Sequence, residues 1–546
     1  MDRVSNAALR CASLIAIAVL AFAAWVHVAI LDPTNVGWML RGHDIGVNGL
    51  GMVAYLRAGN WPGTHQAMLG GPEGVTLLFT DSNPLLGLML WPFARWLPPG
   101  VQVIGLWLLA CLLLHVLFAW LLVRRVAPDF LSVWLGTALL TLLPTLFNRL
   151  VHTNLCAHWL ILFGLWIFVD PRRSRHNGWW ALLLVLAALI HAYLLLMVSA
   201  LWGSALLAAW VEQNAWRDRA KLIAANMMIA GLIVAVMAWN GVFGWQYLST
   251  GTFGAFPMAI DAIINPANPS FTALLPSTPL EKGRGFEGMQ YLGAGLLFLI
   301  AAAIVTALRV PVVPPQQSML ARMVWLVPAF VVLTVFALGN QIWLRGEPVF
   351  LLPLSSQLID ALDPVRATGR FFWPVAYGMI FAALLVVYRL KPKRVSLLLG
   401  AALALQVIDL QPMFGAIRML TADADDRRNY VRTIDPRWQA IVARAAAIEF
   451  HPPENFRDLQ LLEEISWRAV LACRPTRFIY AARQSSDARV RLDAEVRALA
   501  AGRINPSHLY ILFDPTLVPD RIRGMIRVID GVSLIPPRVP PPRPRC

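Results

Sequence analysis

Acidic side chains that could do chemistry lie in one polar stretch near the start of the chain, between two apolar runs. This stretch, residues 31–83, holds Asp44 in the motif RGHD and Asp81 in the motif TDSNPL. A hydroxyl group is a poor nucleophile near neutral pH, so transfer of a group onto it needs a carboxylate that can accept its proton. Asp44 is the better candidate for this general base. Asp81 is the second candidate, and its pattern before Ser-Asn-Pro is also typical of a helix cap or turn.

Cationic side chains are candidates for binding a leaving phosphate, whose developing charge needs fixed cations or a metal. Arg366 and Arg370 stand four residues apart in DPVRATGRFFWP, a spacing that allows a bidentate clamp. The predicted substrate-binding residues all fall at or near one face of the protein: Arg41, His43, Arg57, His191, Glu287, Tyr291, Arg366 and Arg370. His65 lies in the same polar stretch as Asp44, whereas His152 and His158 are interpreted as polar anchors at the ends of apolar runs. No metal site is predicted, because no cysteine or histidine spacing matches a metal-binding motif.

Composition places these residues in a membrane protein. Apolar residues make up 58% of the 546 residues and charged residues only 14%, whereas soluble domains have roughly 45–50% apolar residues. The net charge of +15 comes largely from Lys and Arg in short turns between apolar runs. This is the distribution of cytoplasmic loops and does not indicate nucleic-acid binding.

The fold class predicted from the apolar runs is mainly α, a polytopic membrane bundle of about eleven spans. Arg3 and Arg10 place the N-terminus in the cytoplasm. The run 178–211 has basic residues at both ends, so it must cross twice, with its turn at His191–Tyr193. Residues 84–97 are apolar but short, which suits an interfacial or re-entrant helix. The predicted spans are 9–31, 101–123, 130–148, 154–169, two within 178–211, 221–240, 289–308, 323–339, 371–388 and 395–411.

Three regions follow from this topology. Residues 1–411 form the transmembrane part, with outer loops at 32–83 and 241–288. Residues 412–534 alternate β-like and helix-like stretches and predict a small soluble α/β domain on the periplasmic side of a bacterial inner membrane. Residues 535–546 form a Pro-rich tail.

Several motifs together carry a resemblance to a known group of proteins: GWMLRGHD, NWPG, LLFTDSNPLLGLMLWPF, AHWLIL, LIHAYLLLMVSALW, FEGMQYLG and GRFFWP. They resemble an uncharacterised bacterial family of multi-spanning membrane proteins that is similar to the GT-C superfamily of glycosyltransferases. The resemblance implies a polyprenyl-phosphate-sugar donor, a catalytic acid in the first outer loop, which Asp44 matches, and a soluble domain after the last span. Many GT-C loops carry two adjacent acids that help to hold a divalent metal. Asp44 instead lies between His43 and Ile45, so the motif does not indicate this cofactor.

The expected function is an integral membrane glycosyltransferase that moves a sugar from a lipid-linked donor to an envelope glycan or lipid acceptor. Its expected partners are these substrates and membrane lipids, without nucleic acid. Two other classes stay open: a transporter or flippase of a lipid-linked saccharide, and a non-catalytic envelope assembly protein. Transferase activity on an isolated lipid-linked donor separates the first class from the other two.

Overall fold

The structure, a computed structural model, describes residues 2–243, 251–311, 316–454 and 457–539. Residues 244–250 of the predicted second outer loop and residues 540–546 of the predicted Pro-rich tail lie outside these ranges. Within these ranges the chain is mainly helical, with three small sheets. Its first half contains the strands β1 (His65–Gln66) and β2 (Val75–Thr76), and the following helices: α1 (Asp2–Trp25), α2 (Asp44–Ala58), α3 (Pro84–Leu90), α4 (Ile104–Val123), α5 (Phe130–Thr141), α6 (Pro144–Phe147), α7 (Trp159–Phe168), α8 (Pro171–Ser174), α9 (Asn177–Ile190), α10 (Ala192–Glu212) and α11 (Trp216–Trp239).

The second half adds a further helical part and then a mixed α/β part. Its helices and strands are α12 (Lys282–Glu287), α13 (Ala294–Arg309), α14 (Gln316–Met323), α15 (Val327–Leu338), β3 (Gln341–Leu344), β4 (Glu347–Leu351), α16 (Ser356–Leu362), α17 (Trp373–Val387), α18 (Pro392–Arg418), α19 (Arg437–Ala443), β5 (Ile448–His451), α20 (Leu459–Leu471), α21 (Ser486–Ala500), β6 (Leu509–Leu512), α22 (Asp520–Arg523), β7 (Arg527–Ile529) and β8 (Val532–Ile535).

Seven helices in the described ranges are long and apolar enough to cross a membrane: Ala7–Trp25, Ile104–Val123, Ala192–Glu212, Trp216–Trp239, Gln316–Leu338, Thr368–Val387 and Pro392–Ala424. Four shorter apolar helices, Phe130–Thr141, Thr153–Phe168, Asn177–Ile190 and Ala294–Arg309, occupy the places of the remaining predicted spans. The chain therefore has the composition of a membrane protein, and the count of eleven crossings stays a prediction.

The apolar run 178–211 is broken at its predicted turn. α9 ends at Ile190 and α10 begins at Ala192, with His191 in an extended conformation between them. The far ends of the two helices meet again, since Arg175 Nη2 lies 2.7 Å from Glu212 Oε2. The two helices thus form an antiparallel hairpin, with His191 at one end of the bundle and basic residues at the other.

The first predicted outer loop contains regular secondary structure, which the sequence did not predict. It contains α2, whose residues Ile45–Leu56 are all buried, and the antiparallel pair β1–β2. A helix that is apolar all round is stable only when other elements cover it. α20, from the C-terminal part of the chain, packs against α2 and provides this cover.

The C-terminal part contains a four-stranded sheet in the order β5-β6-β8-β7, in which only the pair β5–β6 is parallel. The mixed α/β character matches the prediction, but α18 continues past the predicted boundary at residue 411 to Arg418. One hydrophobic cluster includes residues of α1, α2, α4, α18, α20 and this sheet. The C-terminal part thus shares a core with the first outer loop and the apolar helices α1, α4 and α18.

Candidate active site

Asp44 is the first residue of α2. The chain turns into the helix at Gly42, whose φ of +76° lies in the left-handed region that glycine adopts without strain. A carboxylate in the first turn is favoured by the helix dipole. Burial raises the pKa of Asp44, and the charge of nearby His152 only partly offsets this effect. A raised pKa makes this carboxylate a better proton acceptor than an exposed aspartate.

Asp81 is held beside Asp44 through its backbone. It adopts a left-handed conformation, with φ +54°, at the end of a 3₁₀ turn over Leu77–Thr80. Its carbonyl oxygen accepts hydrogen bonds from the side-chain amides of Asn48, in α2, and Asn154. The predicted turn is present, but the cap of α3 is Asn83, whose side chain accepts the Leu86 N–H at 3.2 Å. The Asp81 carboxylate therefore faces the site and does not cap the helix.

His152 lies between the two aspartates and Glu287. Its Nδ1 is 3.3 Å from Asp44 Oδ2 and 3.4 Å from Asp81 Oδ2, and its Nε2 is 3.4 Å from Glu287 Oε1. Burial disfavours a charged imidazole here, but hydrogen bonds with Asp81 and Glu287 outweigh burial and raise the pKa of His152 to about 9. At neutral pH the ring is thus an imidazolium that holds the carboxylates together.

Glu287 lies between two arginines. Arg370 binds it with two hydrogen bonds, Nε to Oε2 at 2.8 Å and Nη2 to Oε1 at 2.5 Å, and Arg149 Nη1 donates to Oε2 at 2.7 Å. Burial alone would raise the pKa of Glu287, but the charges of Arg370 and Arg149 hold it well below its usual range. The Nε–Nη2 edge of Arg370 therefore binds Glu287 in the structure, and the predicted phosphate clamp of Arg366 and Arg370 stays a prediction.

His191 closes the site from the tip of the α9–α10 hairpin. Its Nδ1 accepts the N–H of Tyr193 at 3.1 Å, which caps α10. Its Nε2 lies 3.7 Å from Asp81 Oδ1. Burial lowers the pKa of His191 to about 4, so the ring is neutral and carries its proton on Nε2, facing Asp81.

Arg366 is the cation at the edge of this cluster. Its side chain is half-buried and makes no hydrogen bond or salt bridge with any residue in the described ranges. Tyr480 and Arg483, from the C-terminal part, are close enough for the Arg366 charge to act on both, and the charge of Asp44 also acts on the Tyr480 hydroxyl. Arg366 is therefore the arginine of the predicted pair that is available for an anionic ligand.

Glu463 brings a fourth carboxyl group to the start of α2. It is fully buried on α20, and its Oε2 accepts the Gly42 N–H at 2.8 Å. A Cβ on Gly46 would lie within 2.6 Å of three atoms of this carboxyl group, so the carboxyl group would have to shift if residue 46 carried a side chain. Burial raises the pKa of Glu463 to about 9, although the Gly42 N–H opposes the shift. Glu463 is thus neutral at pH 7 and fixes the turn from which Asp44 projects.

Four of the predicted substrate-binding residues have other partners. Arg41 Nε donates to Asp423 at 2.6 Å, which ties the first outer loop to the segment after α18. His43 is the residue before α2, and its backbone N–H donates a hydrogen bond to the Glu463 carboxyl group. Arg57 Nη2 lies 3.1 Å from Cys473 Sγ and 3.4 Å from the carbonyl of Leu471, at the end of α20. These three residues join the outer loop to the C-terminal part.

Tyr291 is the fourth. It is fully buried, and its hydroxyl donates to Asp409 Oδ2 of α18 at 2.5 Å. Asp409 also accepts hydrogen bonds from Thr272 and from backbone amides of the second outer loop. Tyr291 thus belongs to a buried hydrogen-bond network, and its predicted substrate role stays a prediction. His158 likewise lies inside the bundle, where Nδ1 is 3.0 Å from the Tyr377 hydroxyl.

The sequence alone predicts no substrate role for Arg149, His152, Glu463 or Tyr480. A signal for the first two was present, because both lie in the link NRLVHTN on the predicted outer side, where positive charge is unexpected. Glu463 and Tyr480 come from the C-terminal part, and nothing local in their sequence points to the site.

The sequence predicts no metal site, and this stays a prediction. The part of the chain that the structure describes contains no group of three His, Cys, Asp or Glu side chains arranged to hold a metal ion. No step proposed below uses one.

Comparison with known families gives two matches. The family described as "Domain of unknown function (DUF6311)" matches residues 15–411, which is more than half of the chain. The chain belongs to the DUF6311 family. The description "DUF6311 C-terminal domain" matches residues 437–537. No curated protein matches the chain. In this DUF6311 protein the first matched region contributes Asp44, Asp81, His152 and Arg366 to the site, and the second contributes Tyr480.

Proposed function

We propose that this DUF6311 protein is an integral membrane glycosyltransferase of the GT-C type. In this proposal it moves a sugar from a polyprenyl-phosphate donor to an envelope acceptor at the outer face of a bacterial inner membrane. The observation that carries the proposal is the position of Asp44. It is a partly buried carboxylate with a raised pKa, held beside Asp81 by a protonated His152, with Arg366 at the edge of the same cluster.

The reaction assigns one task to each side chain. Asp44 accepts the proton of the acceptor hydroxyl as its oxygen bonds to the anomeric carbon of the sugar. The bond from that carbon to the phosphate oxygen breaks at the same time, and polyprenyl phosphate leaves with the electron pair. Arg366 stabilises the charge that develops on this phosphate, because its guanidinium can form two parallel hydrogen bonds. Attack opposite the leaving group inverts the anomeric centre.

Asp81, His152 and His191 serve as positioning residues in this scheme. His152 keeps the two carboxylates close together, although like charges repel at such distances. Glu287 anchors the other side of the imidazolium and is itself fixed by Arg149 and Arg370. The base therefore has a fixed geometry before substrate binds, which lowers the reorganisation required in the transition state.

The charges at the two ends of the bundle support the proposed orientation in the membrane. The end opposite the site carries Arg125, Arg173 and Arg175, which pair with Asp170 and Glu212. Basic residues favour the cytoplasmic side, so this end is assigned to the cytoplasm. The site and the C-terminal part then face the periplasm, where a lipid-linked donor presents its sugar in the outer leaflet.

The test is sugar transfer by purified protein in lipid vesicles. A polyprenyl-phosphate donor carrying a labelled sugar is incubated with envelope glycan and lipid fractions, and both the labelled product and the released polyprenyl phosphate are measured. The control variant is Asp493→Asn, a change at the surface of α21. The proposal is supported if wild type and this control both transfer the sugar and Asp44→Asn abolishes the transfer. Movement of the intact donor across the vesicle membrane without release of polyprenyl phosphate would favour the transporter instead.

A further inference from the structure

The hairpin β3–β4, which joins α15 to α16, exposes an unusual amount of apolar surface. Every residue of β4 is exposed, whereas β3 is half-buried except at its last residue. Trp343 of β3 lies against Arg284, whose guanidinium is 3.5 Å from the ring centroid. The exposed fractions on the other strand are 53% for Val349, 56% for Phe350, 58% for Leu351 and 50% for Leu352. We call residues Val349–Leu352 the apolar rim.

The apolar rim lies directly beyond the end of α15. Leu352 N–H donates to the carbonyl of Asn340 at 2.7 Å, and Leu351 pairs with Gln341. Both partners follow within a few residues of Leu338, where α15 ends. The polar turn at Arg345 is at the opposite end of the hairpin. The apolar half of the hairpin is therefore the half that is nearest to the helix.

The exposed surface of α15 continues into the apolar rim. Val331, Val332, Val335 and Phe336 of this helix are exposed, and the helix belongs to one of the seven segments that can cross a membrane. An apolar strand with both faces in water is an aggregation hazard. The same strand is stable where lipid tails cover it, provided that its backbone stays near the headgroups and can form hydrogen bonds there.

We infer that the apolar rim enters the outer leaflet and contacts lipid tails. The inference rests on the membrane orientation in the proposed function, and it adds a lipid-contacting surface outside the helices. α16, which follows the rim and exposes Leu358, leads through the turn Asp363–Val365 to Arg366. The rim is thus connected along the chain to the cation assigned to the donor phosphate, and it provides an apolar surface for the lipid part of such a donor.

Lipid contact can be measured without any assay of activity. Single cysteines are introduced at Phe350 and Leu351, which point to opposite faces of β4, in a background without the five native cysteines. Each is labelled with bimane, and quenching is measured in vesicles of phospholipid with brominated acyl chains. Val335→Cys on α15 is the membrane control. Val528→Cys, at a 62% exposed apolar position on β7, is the aqueous control.

We expect quenching at position 350, 351 or both to be at least half of that at 335, and quenching at 528 to be close to zero. If 335 is quenched while 350 and 351 match 528, the inference is wrong. If the labels at positions 350 and 351 are then also protected from quenching by aqueous iodide, protein, such as a second copy, covers the rim. If 335 is also unquenched, the proposed membrane embedding fails, and the inference fails with it.

Discussion

The charge on His152 should make the stability of the protein depend on pH. Its ring faces Asp44, Asp81 and Glu287 and is 19% exposed. Despite burial, hydrogen bonds with Asp81 and Glu287 raise the pKa of His152 from 6.5 to about 9. The difference of about 2.5 units, at about 1.36 kcal/mol per unit, corresponds to about 3 kcal/mol of folding free energy.

The direction follows from which state binds the proton more tightly. Because the folded protein has the higher pKa, this stabilisation is complete below about pH 6.5 and is lost as the pH rises through about 9. Unfolding entropy of roughly 2.1 cal/mol/K per residue converts 3 kcal/mol into a decrease of about 3 °C in Tm for a chain of this length. Thermal unfolding of the protein in nanodiscs between pH 6 and 9.5 measures this change.

Glu463, whose pKa is also raised from 4.5 to about 9, contributes in the same direction throughout this range up to about pH 9. The difference between wild type and His152→Gln therefore isolates the imidazole. We expect His152→Gln to remove about 3 °C of the pH dependence, whereas His176→Gln, at the basic end of the bundle, should keep all of it. If the Tm of wild type and the Tm of His152→Gln decrease by the same amount between pH 6.5 and 9.5, His152 is not charged in the folded protein. The proposed arrangement of the carboxylates is then wrong.

Three substitutions test the other parts of the site. Arg370→Lys should lower stability by roughly 1.5–3 kcal/mol, because one charge-assisted hydrogen bond to its buried carboxylate partner is lost, and unchanged thermal unfolding would contradict the pairing. Arg366→Lys should leave the Tm within about 1 °C of wild type. It should weaken donor binding, measured by the KM for donor, about tenfold or more, because an ammonium cannot form two parallel hydrogen bonds. Full retention of donor affinity would show that Arg366 does not bind phosphate. Gly46→Ala should lower the free energy of unfolding by about 1–3 kcal/mol, because its methyl group would collide with Glu463. Gly203→Ala, with no atom within 4 Å of the added carbon, should be tolerated. Equal stability of both variants would contradict the contact.

The sequence predicted the helices, and the face at which each polar residue lies, better than it predicted which side chains pair with each other. Apolar runs mark the helices because a buried or lipid-exposed helix must be apolar along its whole length. Basic residues at both ends of 178–211 predict a turn in the middle, and the chain does turn at His191. Sorting residues by side placed Asp44, Asp81 and Glu287 at one face, and the structure brings all three together around His152.

Pairings between distant residues could not be predicted in the same way. Arg370 and Arg366 have the same local pattern, yet Arg370 pairs with Glu287 and Arg366 does not. Only the three-dimensional fold decides which arginine meets the carboxylate. α2 was missed because its buried surface depends on α20, a helix that lies some four hundred residues later in the sequence.

The most direct test of the proposed function is the turnover of Asp44→Asn in purified, folded protein. Asparagine has nearly the same shape but cannot accept the proton of the acceptor hydroxyl, and loss of base catalysis typically costs about 10²–10⁴-fold. We predict that sugar transfer falls by this factor, while donor binding and thermal unfolding stay close to those of wild type. In wild type, transfer should rise with pH through a pKa above the ordinary range of aspartate. Turnover of Asp44→Asn within about threefold of wild type would contradict the assignment of Asp44 as the base.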